Sequence, residues 1–338
     1  MREMVVVLAV LALCFTAIVP GCSQDTTAAR NACRNQMKVQ VLALQNHHDV
    51  FKTFPPLFFS RDPEKIATLS PLEAAECYSW HIRLLPFTEH ETIYKNFSKT
   101  SDKFALPSTS IVARGTDGKE SSPSAYSMPH LICAAVSDQV AAGTSHYVAL
   151  STTKLPLLLE TEVGPKGKPV FKNQPDGMII PDTQGRGQSM ARMPDGTSKT
   201  AVLAESREST RSNWYLPQQT FVAGFLPEDN TATMNPGQPY YPYFDLATSN
   251  WTPNPKANRT AINYGPTSDQ PSQAYHGVQG DPLERTWGPS SAHGGGIVIH
   301  GMGDGSVMEV KTDIDPKIYF AAITARGGEN VESLGSGN

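Results

Sequence analysis

The chain has 338 residues, of which 39% are hydrophobic, and a formal net charge of -4 at pH 7. This length and apolar content allow a sizeable buried core in one large domain or two. The mild negative charge and the absence of Lys/Arg runs argue against a nucleic-acid-binding protein.

The N-terminal region opens with an apolar run over residues 5–19. The run is shorter than the roughly 20 residues of a membrane span and has the length of a signal-peptide core. Val19 to Cys22 then resembles a bacterial lipoprotein cleavage box. Residues 1–21 are therefore interpreted as a signal or anchor segment, with Cys22 as the favoured lipidation site. An uncleaved anchor and a cleaved soluble form are the alternatives.

The following segment, residues 22–56, predicts a stem helix. Apolar side chains recur at spacings of three and four between Ala29 and Phe51, which is typical of an amphipathic helix, and the prolines at 55–56 end it. A second face of this helix is basic and is interpreted as solvated, with contact to anionic lipid headgroups as the alternative. That basic face consists of Arg30, Arg34 and Lys38.

The whole chain contains 26 Gly and 27 Pro, and most of them lie in the body, residues 57–330, which indicates a fold with many strands and loops. A flexible tail is expected at 331–338. The predicted strands are 131–136, 146–151, 176–181, 201–204, 296–300 and 306–310, the last two forming a hairpin. A helix is predicted over 88–97, with Thr88 and Glu91 in capping-box spacing, and another over 317–325 after Asp315 and Pro316.

A loop-rich insertion is predicted at about 207–288, where Pro, Asn, Gly, Tyr and Trp dominate. Such a segment is more often a lid packed over the sheet without a ligand, and this is the favoured interpretation. The alternative is that its rigid aromatic rings form a recognition surface for a glycan or other ligand. The candidate ligand-surface residues are Trp214, Tyr240, Tyr241 and Trp251.

The cysteines allow one disulfide if the body lies in an exported compartment. If Cys22 carries lipid, one disulfide is expected among the three cysteines that follow it, and Cys33 with Cys133 is the favoured pair, which leaves Cys77 over. The alternative is that all three stay reduced. No CxxC or Cys/His spacing indicates a zinc site.

Catalytic motifs are missing from the sequence: it has no GxSxG, HExxH or Walker loop, and no cofactor is predicted. His47 and His48 point about 100° apart on a helix, so they are not expected to share one metal ion. A metal or acid/base site around His293, His300 and Asp304 is the sharpest catalytic hypothesis. The competing interpretation is that Asp304 bonds turn amides while His293 caps or packs.

Several motifs together carry a family resemblance. They are Asn31 to Lys38, Leu42 to Asp49, Phe54-Pro55-Pro56, Ser79-Trp80, Leu84 to Phe87, Cys133 with Ser137-Asp138, Asp195 to Thr200 with Glu205, and His293 followed by Asp304-Gly305. On these motifs the chain resembles the pseudopilin-like bacterial proteins of unknown function, abundant in planctomycetes, that carry the domain of unknown function 1559.

The resemblance implies an α+β fold of type IV pilin-like shape, with a long N-terminal helix packed on an antiparallel β-sheet and a large insertion. The sequence departs from the family in two places. The prepilin peptidase motif is absent, and ten residues rather than nine separate His293 from Asp304 and Gly305 of the C-terminal motif.

These observations predict a non-catalytic structural or interaction protein outside the cytoplasmic membrane, at the periplasmic face or in the cell envelope. Its expected partners are the membrane, through the anchor or lipid, and other proteins, through the stem helix. The alternatives are an extracytoplasmic glycan- or solute-binding protein that uses the aromatic insertion, and a hydrolase that uses His293 and Asp304.

Overall fold

A computed structural model describes the fold over much of the chain. The described residues are 27–60, 77–100, 113–114, 120–121, 126, 128–136, 140, 142–159, 161–167, 169–182, 185–208, 212–225, 243–245, 250–252, 260–263, 288–327 and 334. The predicted anchor at 1–21, lipidation at Cys22, the tail at 335–338 and most of the insertion lie outside these residues.

The secondary structure is mixed α and β. The helices are α1 (Thr27–Phe51), α2 (Trp80–Leu84), α3 (Glu91–Thr100), α4 (Pro156–Leu159) and α5 (Pro316–Ile323). The strands are β1 (Phe58–Phe59), β2 (Tyr78–Ser79), β3 (Ala113–Arg114), β4 (Glu120–Ser121), β5 (Tyr147–Thr152), β6 (Thr161–Val163), β7 (Pro169–Phe171), β8 (Ala201–Glu205), β9 (Phe221–Ala223), β10 (Tyr243–Asp245), β11 (Asn250–Thr252), β12 (Ile297–Met302) and β13 (Val307–Lys311).

The central sheet has five strands in the order β13-β12-β8-β5-β9. Neighbouring strands pair antiparallel except for β5 and β9, which are parallel, so the expected antiparallel sheet is in fact mixed at one edge. Successive side chains along the strands point to opposite faces of the sheet and form two apolar clusters. One cluster packs against α1 and the other against α5. The α+β class predicted from the sequence is confirmed.

The stem helix α1 is part of the core. Its inner face buries Cys33, Met37, Val41 and Leu44. The close approach to β12 depends on Gly301, because a Cβ atom there would lie 2.3 Å from Val41 Cγ1 and 3.0 Å from Met37 Sδ. Any side chain at position 301 would therefore push the helix away from the sheet.

The basic face of α1 was predicted to be solvated, but its three cations also contact the body of the protein. Arg34 forms a salt bridge of 3.3 Å with Glu309 on β13, Lys38 donates to the Gly305 carbonyl, and the Arg30 guanidinium donates to the Gly294 carbonyl at 3.3 Å. All three cations therefore reach across to the β12–β13 hairpin and its flanks.

The predicted β-hairpin is present, with Gly305 in the left-handed region at φ 85° in its turn. Helix α5 begins as predicted, since the Asp315 carboxylate accepts from the Lys317 amide at 2.7 Å and Pro316 occupies the first turn. The strands predicted at 146–151 and 201–204 correspond to β5 and β8.

Three local predictions are wrong. Residues 131–136 form no strand, because their amides bond locally: Ile132 N donates to Pro129 O and Val136 N donates to Cys133 O. Residues 176–181 form no strand; instead the Asp176 carboxylate accepts from the Thr152 hydroxyl and the Thr153 amide, both at 2.8 Å, at the end of β5. Thr88 caps no helix start, since its hydroxyl donates back to the Leu84 and Leu85 carbonyls.

The packing of α1 on β12 gives the first prediction. Gly301→Ala should lower the free energy of unfolding by about 1–3 kcal/mol, because the added methyl overlaps Val41. Chemical denaturation measures the change. Exposed Ser198→Ala is the control and should stay within about 0.5 kcal/mol of the parent. An unchanged stability in Gly301→Ala would mean that the helix does not approach the sheet this closely.

Two fully buried histidines give a second prediction. Burial lowers the pKa of His81 to about 3 and the pKa of His300 to about 4. His300 Nδ1 donates to the Val298 carbonyl at 3.1 Å, so its Nε2 accepts from the Tyr319 hydroxyl at 2.9 Å. Both rings are thus neutral in the folded protein.

Unfolded histidines have pKa values near ~6.5 and take up protons below that pH, while the folded protein does not. The free energy of unfolding should therefore fall as the pH drops from about 6.5 toward 4. His300→Gln, which does not titrate, should show a shallower fall in urea denaturation at a series of pH values. Identical pH dependence in the two proteins would contradict the buried neutral state of His300.

Candidate functional site

Four distant parts of the chain meet in one buried cluster beneath α1. Cys33 comes from α1, Cys133 from the turn after the 3₁₀ helix Pro129–Leu131, Glu205 from the end of β8, and His293 from the loop before β12. One thiol, imidazole or carboxylate atom from each lies within 4.8 Å of the others. We call these four residues the junction cluster.

The cysteines of the junction cluster form a disulfide. Cys33 and Cys133 are joined across 100 residues with a Cα–Cα distance of 5.2 Å. This is the pair favoured from the sequence, while Cys77 is buried elsewhere in the core. The bond connects the stem helix covalently to the body.

The turn at Cys133 is held by neighbouring polar groups. The Cys133 amide donates to His146 Nδ1 at 3.0 Å, and the Ala134 amide points at Cys33 Sγ at 3.1 Å. These bonds use backbone amides that would otherwise pair with a neighbouring strand. They orient the turn so that Cys133 faces α1.

Glu205 brings a carboxylate into the core. It ends the apolar strand β8, is only 1% exposed, and its Oε2 accepts from the Ile299 amide at 2.9 Å. Burial raises the pKa of this carboxyl, while His293 and the Ile299 amide act in the opposite direction. A buried carboxylate needs such partners, because an unpaired one is costly.

His293 supplies one of those partners through a single ring nitrogen. Its Nε2 lies 3.3 Å from Glu205 Oε1 and 3.8 Å from Cys133 Sγ. A nucleophilic triad needs two ring nitrogens, one toward the nucleophile and one toward the acid. Because His293 presents the same atom to both, the geometry is not that of a Cys-His-Glu catalytic triad.

Tyr147 on β5 closes the cluster on the side of the helix. Its hydroxyl donates to Gln36 Oε1 at 2.8 Å and lies 3.3 Å from the Cys33 carbonyl oxygen. Burial and the nearby Glu205 carboxylate raise its pKa well above the usual value of 10. The phenol therefore stays protonated and serves as a hydrogen-bond donor to α1.

The His293/Asp304 pair required by the hydrolase hypothesis does not form. Asp304 is exposed in the hairpin turn, where its Oδ1 accepts from the Ser306 amide at 2.8 Å and from the Ser306 hydroxyl at 2.6 Å. His300 contacts Tyr319 instead of either residue. The C-terminal motif thus divides into a buried histidine and a turn carboxylate.

The other predicted site residues fall in several places. The prediction that Trp214 belongs to an exposed ligand surface is wrong. Trp214 is fully buried and packs edge to face against Phe97 and Tyr215. Tyr240 and Tyr241 lie outside the described residues, as does the side chain of Trp251.

The His47/His48 pair is separated as the helix geometry predicts. His47 Nδ1 bonds the Thr53 carbonyl at 2.8 Å, whereas His48 Nε2 accepts from the Met190 amide at 3.2 Å. Their rings serve the helix end and a neighbouring loop, respectively.

Sequence reasoning missed the role of Glu205. It placed this residue in a family motif but paired His293 with Asp304. The usable signal is that a carboxylate directly follows four apolar strand residues, Ala201 to Ala204, where burial would be unfavourable without a partner.

A second polar site lies beside the C-terminal end of α1, next to Thr53. A cleft of about 370 Å³ is lined by Thr53, Asp182, Gln188 and three arginines, Arg186, Arg192 and Arg326. An adjoining cavity of about 210 Å³ shares Gln188 and Arg326 with it. We call the larger volume the arginine cleft.

Comparison with protein families identifies the class of protein. The model of a protein family of unknown function, DUF1559 (SBP_bac_10), matches residues 27–317. The chain belongs to this family. No curated protein and no solved structure matches it significantly. None of the helices among the described residues is long and apolar enough to span a bilayer.

The disulfide gives the third prediction. Replacing both Cys33 and Cys133 by Ser should lower the free energy of unfolding by about 3–5 kcal/mol, since the bond closes a loop of some 100 residues. Denaturation of parent and variant measures the loss. Reductant should lower the melting temperature of the parent and leave the double variant unchanged.

Cys77→Ala is the matched control for this prediction, because it removes a buried cysteine outside the disulfide. It should keep the full response to reductant. A parent protein that melts identically with and without reductant would contradict the stabilising role of the Cys33–Cys133 bond.

Proposed function

We propose that this protein is a non-catalytic structural or interaction protein that is tethered outside the cytoplasmic membrane by its N-terminal segment. The buried disulfide supports an oxidising, extracytoplasmic location. The lipoprotein-like sequence around Cys22 supports the tether. The junction cluster favours a structural role over catalysis, because its groups are buried and bonded to one another.

The outer face of α1 carries the proposed function. While the inner face is fixed to the sheet, four large apolar side chains on this helix stay exposed: Val39 (42%), Leu42 (45%), Val50 (62%) and Phe51 (51%). Val39, Leu42 and Val50 follow one another at spacings of three and eight, which keeps them on one side of the helix. We call these three residues the outer stripe.

We assign the outer stripe to the stem helix of a second copy of this chain. Helix α1 has 25 residues and is therefore about 37 Å long. Because the tether precedes its N-terminus, Val50 lies at the end remote from the membrane, so lipid is a poor occupant for the whole stripe. A second amphipathic helix matches both the length and the apolar character, and exposed Asn35 and Asn46 lie beside the stripe as polar partners.

The fourth prediction tests this contact. Val39→Glu combined with Leu42→Glu should weaken self-association of the full-length protein, measured by light scattering over a concentration series, and leave its melting temperature within a few degrees. Val163→Glu is the matched control, because Val163 is 83% exposed on β6, away from the stripe. A parent that is monomeric throughout, or an equal effect of the control, would refute the assignment.

A second candidate function, binding of an anionic solute, is favoured by the arginine cleft. Arg192 and Arg326 both line this cleft. Burial and the nearby Arg192 charge lower the pKa of Arg326. Arg326 is positioned by a bond of 3.1 Å to Gln188 Oε1. Asp182 is the single carboxylate that lines this cleft among the described residues. An anion placed here would relieve the repulsion between the cations.

The fifth prediction concerns this cleft. Inorganic sulfate should raise the melting temperature of the parent, and the Arg192→Gln/Arg326→Gln variant should lose at least half of that shift. Lys311→Gln, which removes an exposed cation on β13, is the control and should keep it. Equal sulfate shifts in all three proteins would show nonspecific salt stabilisation and reject the cleft as an anion site.

A further inference from the structure

The junction cluster combines the donor set of a metal centre with the geometry of one. It offers two sulfur atoms, one imidazole nitrogen and one carboxylate oxygen, all buried and all within 4.8 Å of one another. Two thiolates, a histidine and a carboxylate are ligands that Zn²⁺ accepts in four-coordinate sites. The spacing of Cys33 and Cys133 along the chain gave no sign of this, because 100 residues separate them.

Two distances within the junction cluster match the edges of a zinc tetrahedron. With metal–ligand bonds of about 2.0–2.3 Å, the edges of a zinc tetrahedron measure about 3.3–3.8 Å. The His293 Nε2 to Glu205 Oε1 distance is 3.3 Å and the Cys133 Sγ to His293 Nε2 distance is 3.8 Å. The other ligand atoms lie within 4.8 Å of one another, and the two bonded sulfur atoms must separate before a metal ion can enter.

We propose that reduction of the Cys33–Cys133 disulfide converts the junction cluster into a closed Zn²⁺ site with Cys33, Cys133, Glu205 and His293 as its four ligands. The disulfide and the metal are then alternative crosslinks between α1 and the body. Either one fixes the stem helix at the same point.

The surroundings of the cluster already supply the outer contacts of such a site. The Ala134 amide points at Cys33 Sγ at 3.1 Å, as amides do around metal-bound thiolates. The Ile299 amide holds Glu205 Oε2 at 2.9 Å, which leaves Oε1 directed at His293 and the sulfur atoms. The ligands are therefore oriented before any metal arrives.

The chemistry balances with an external dithiol as the reductant. The dithiol passes two electrons and two protons to the disulfide, becomes a disulfide itself, and leaves Cys33 and Cys133 as thiols. Zn²⁺ binding then displaces both thiol protons to solvent as two metal–sulfur bonds form. Any proton held between Glu205 Oε1 and His293 Nε2 leaves as well, since both atoms become ligands.

The experiment uses Co²⁺ and Zn²⁺ as probes on the full-length protein. Protein reduced by a dithiol under anaerobic conditions and freed of metal by a chelator is titrated with Co²⁺. The expected result is one equivalent bound, with a thiolate-to-cobalt charge-transfer band and the intense visible bands of a tetrahedral site, displaced by one equivalent of Zn²⁺. The oxidised protein should give neither band.

Variants locate the site and separate binding from folding. Glu205→Gln should weaken Co²⁺ binding by about 10- to 100-fold, because a neutral amide is a poor ligand. Cys77→Ser should keep the spectrum of the parent. Zn²⁺ should also raise the melting temperature of the reduced parent, since binding to the folded state stabilises it.

Three results would overturn the proposal. One is a folded, reduced parent that shows no charge-transfer band at equimolar Co²⁺. Another is a band that survives in Glu205→Gln at full affinity but disappears in Cys77→Ser. A reduced chain that stays unfolded in the presence of Zn²⁺ would also overturn it, because the four ligands would then not be assembled by the fold.

Discussion

The attachment of α1 to the body, by a disulfide to the Cys133 turn and by packing on the sheet, is the constraint on which the rest of the structure depends. The disulfide fixes the helix at Cys33, and Gly301 lets Val41 approach β12 where a side chain would block it. Two cations on the helix, Arg34 and Lys38, then contact the β12–β13 hairpin, and Arg30 contacts the loop just before it. These contacts occupy the inner and lateral faces of the helix, and the outer stripe stays exposed.

The partners of Glu205 explain how a carboxylate is tolerated in the core and what it contributes there. Glu205 would destabilise the core on its own, yet its two oxygens are matched by the Ile299 amide and by His293. The pair fixes the end of β8, the start of β12 and the loop at His293 in one register, directly against the sulfur atoms. The polar part of the junction cluster therefore specifies where the crosslink to the helix can form.

Local sequence patterns predicted several helices and turns correctly. Predictions were wrong where the structure depends on contacts between residues that are distant in sequence. Three features could be predicted because each is a local signal. They are the periodicity of α1, the glycine turn of the β12–β13 hairpin and the Asp315 cap of α5. The strand expected at 131–136 was wrong because the Cys133 turn is set by His146 and Cys33, which are distant in sequence. Likewise, His293 was paired with nearby Asp304, whereas its actual partner Glu205 is 88 residues away.

Hydrogen–deuterium exchange measured by mass spectrometry tests most directly whether the stem helix is an integral part of the body. In the oxidised protein, peptides covering Met37 to Leu44 should exchange as slowly as those covering β8 and β12, because the same global opening exposes all of them. Fast exchange of the helix while the sheet stays protected would contradict this account and would make α1 a separately moving element.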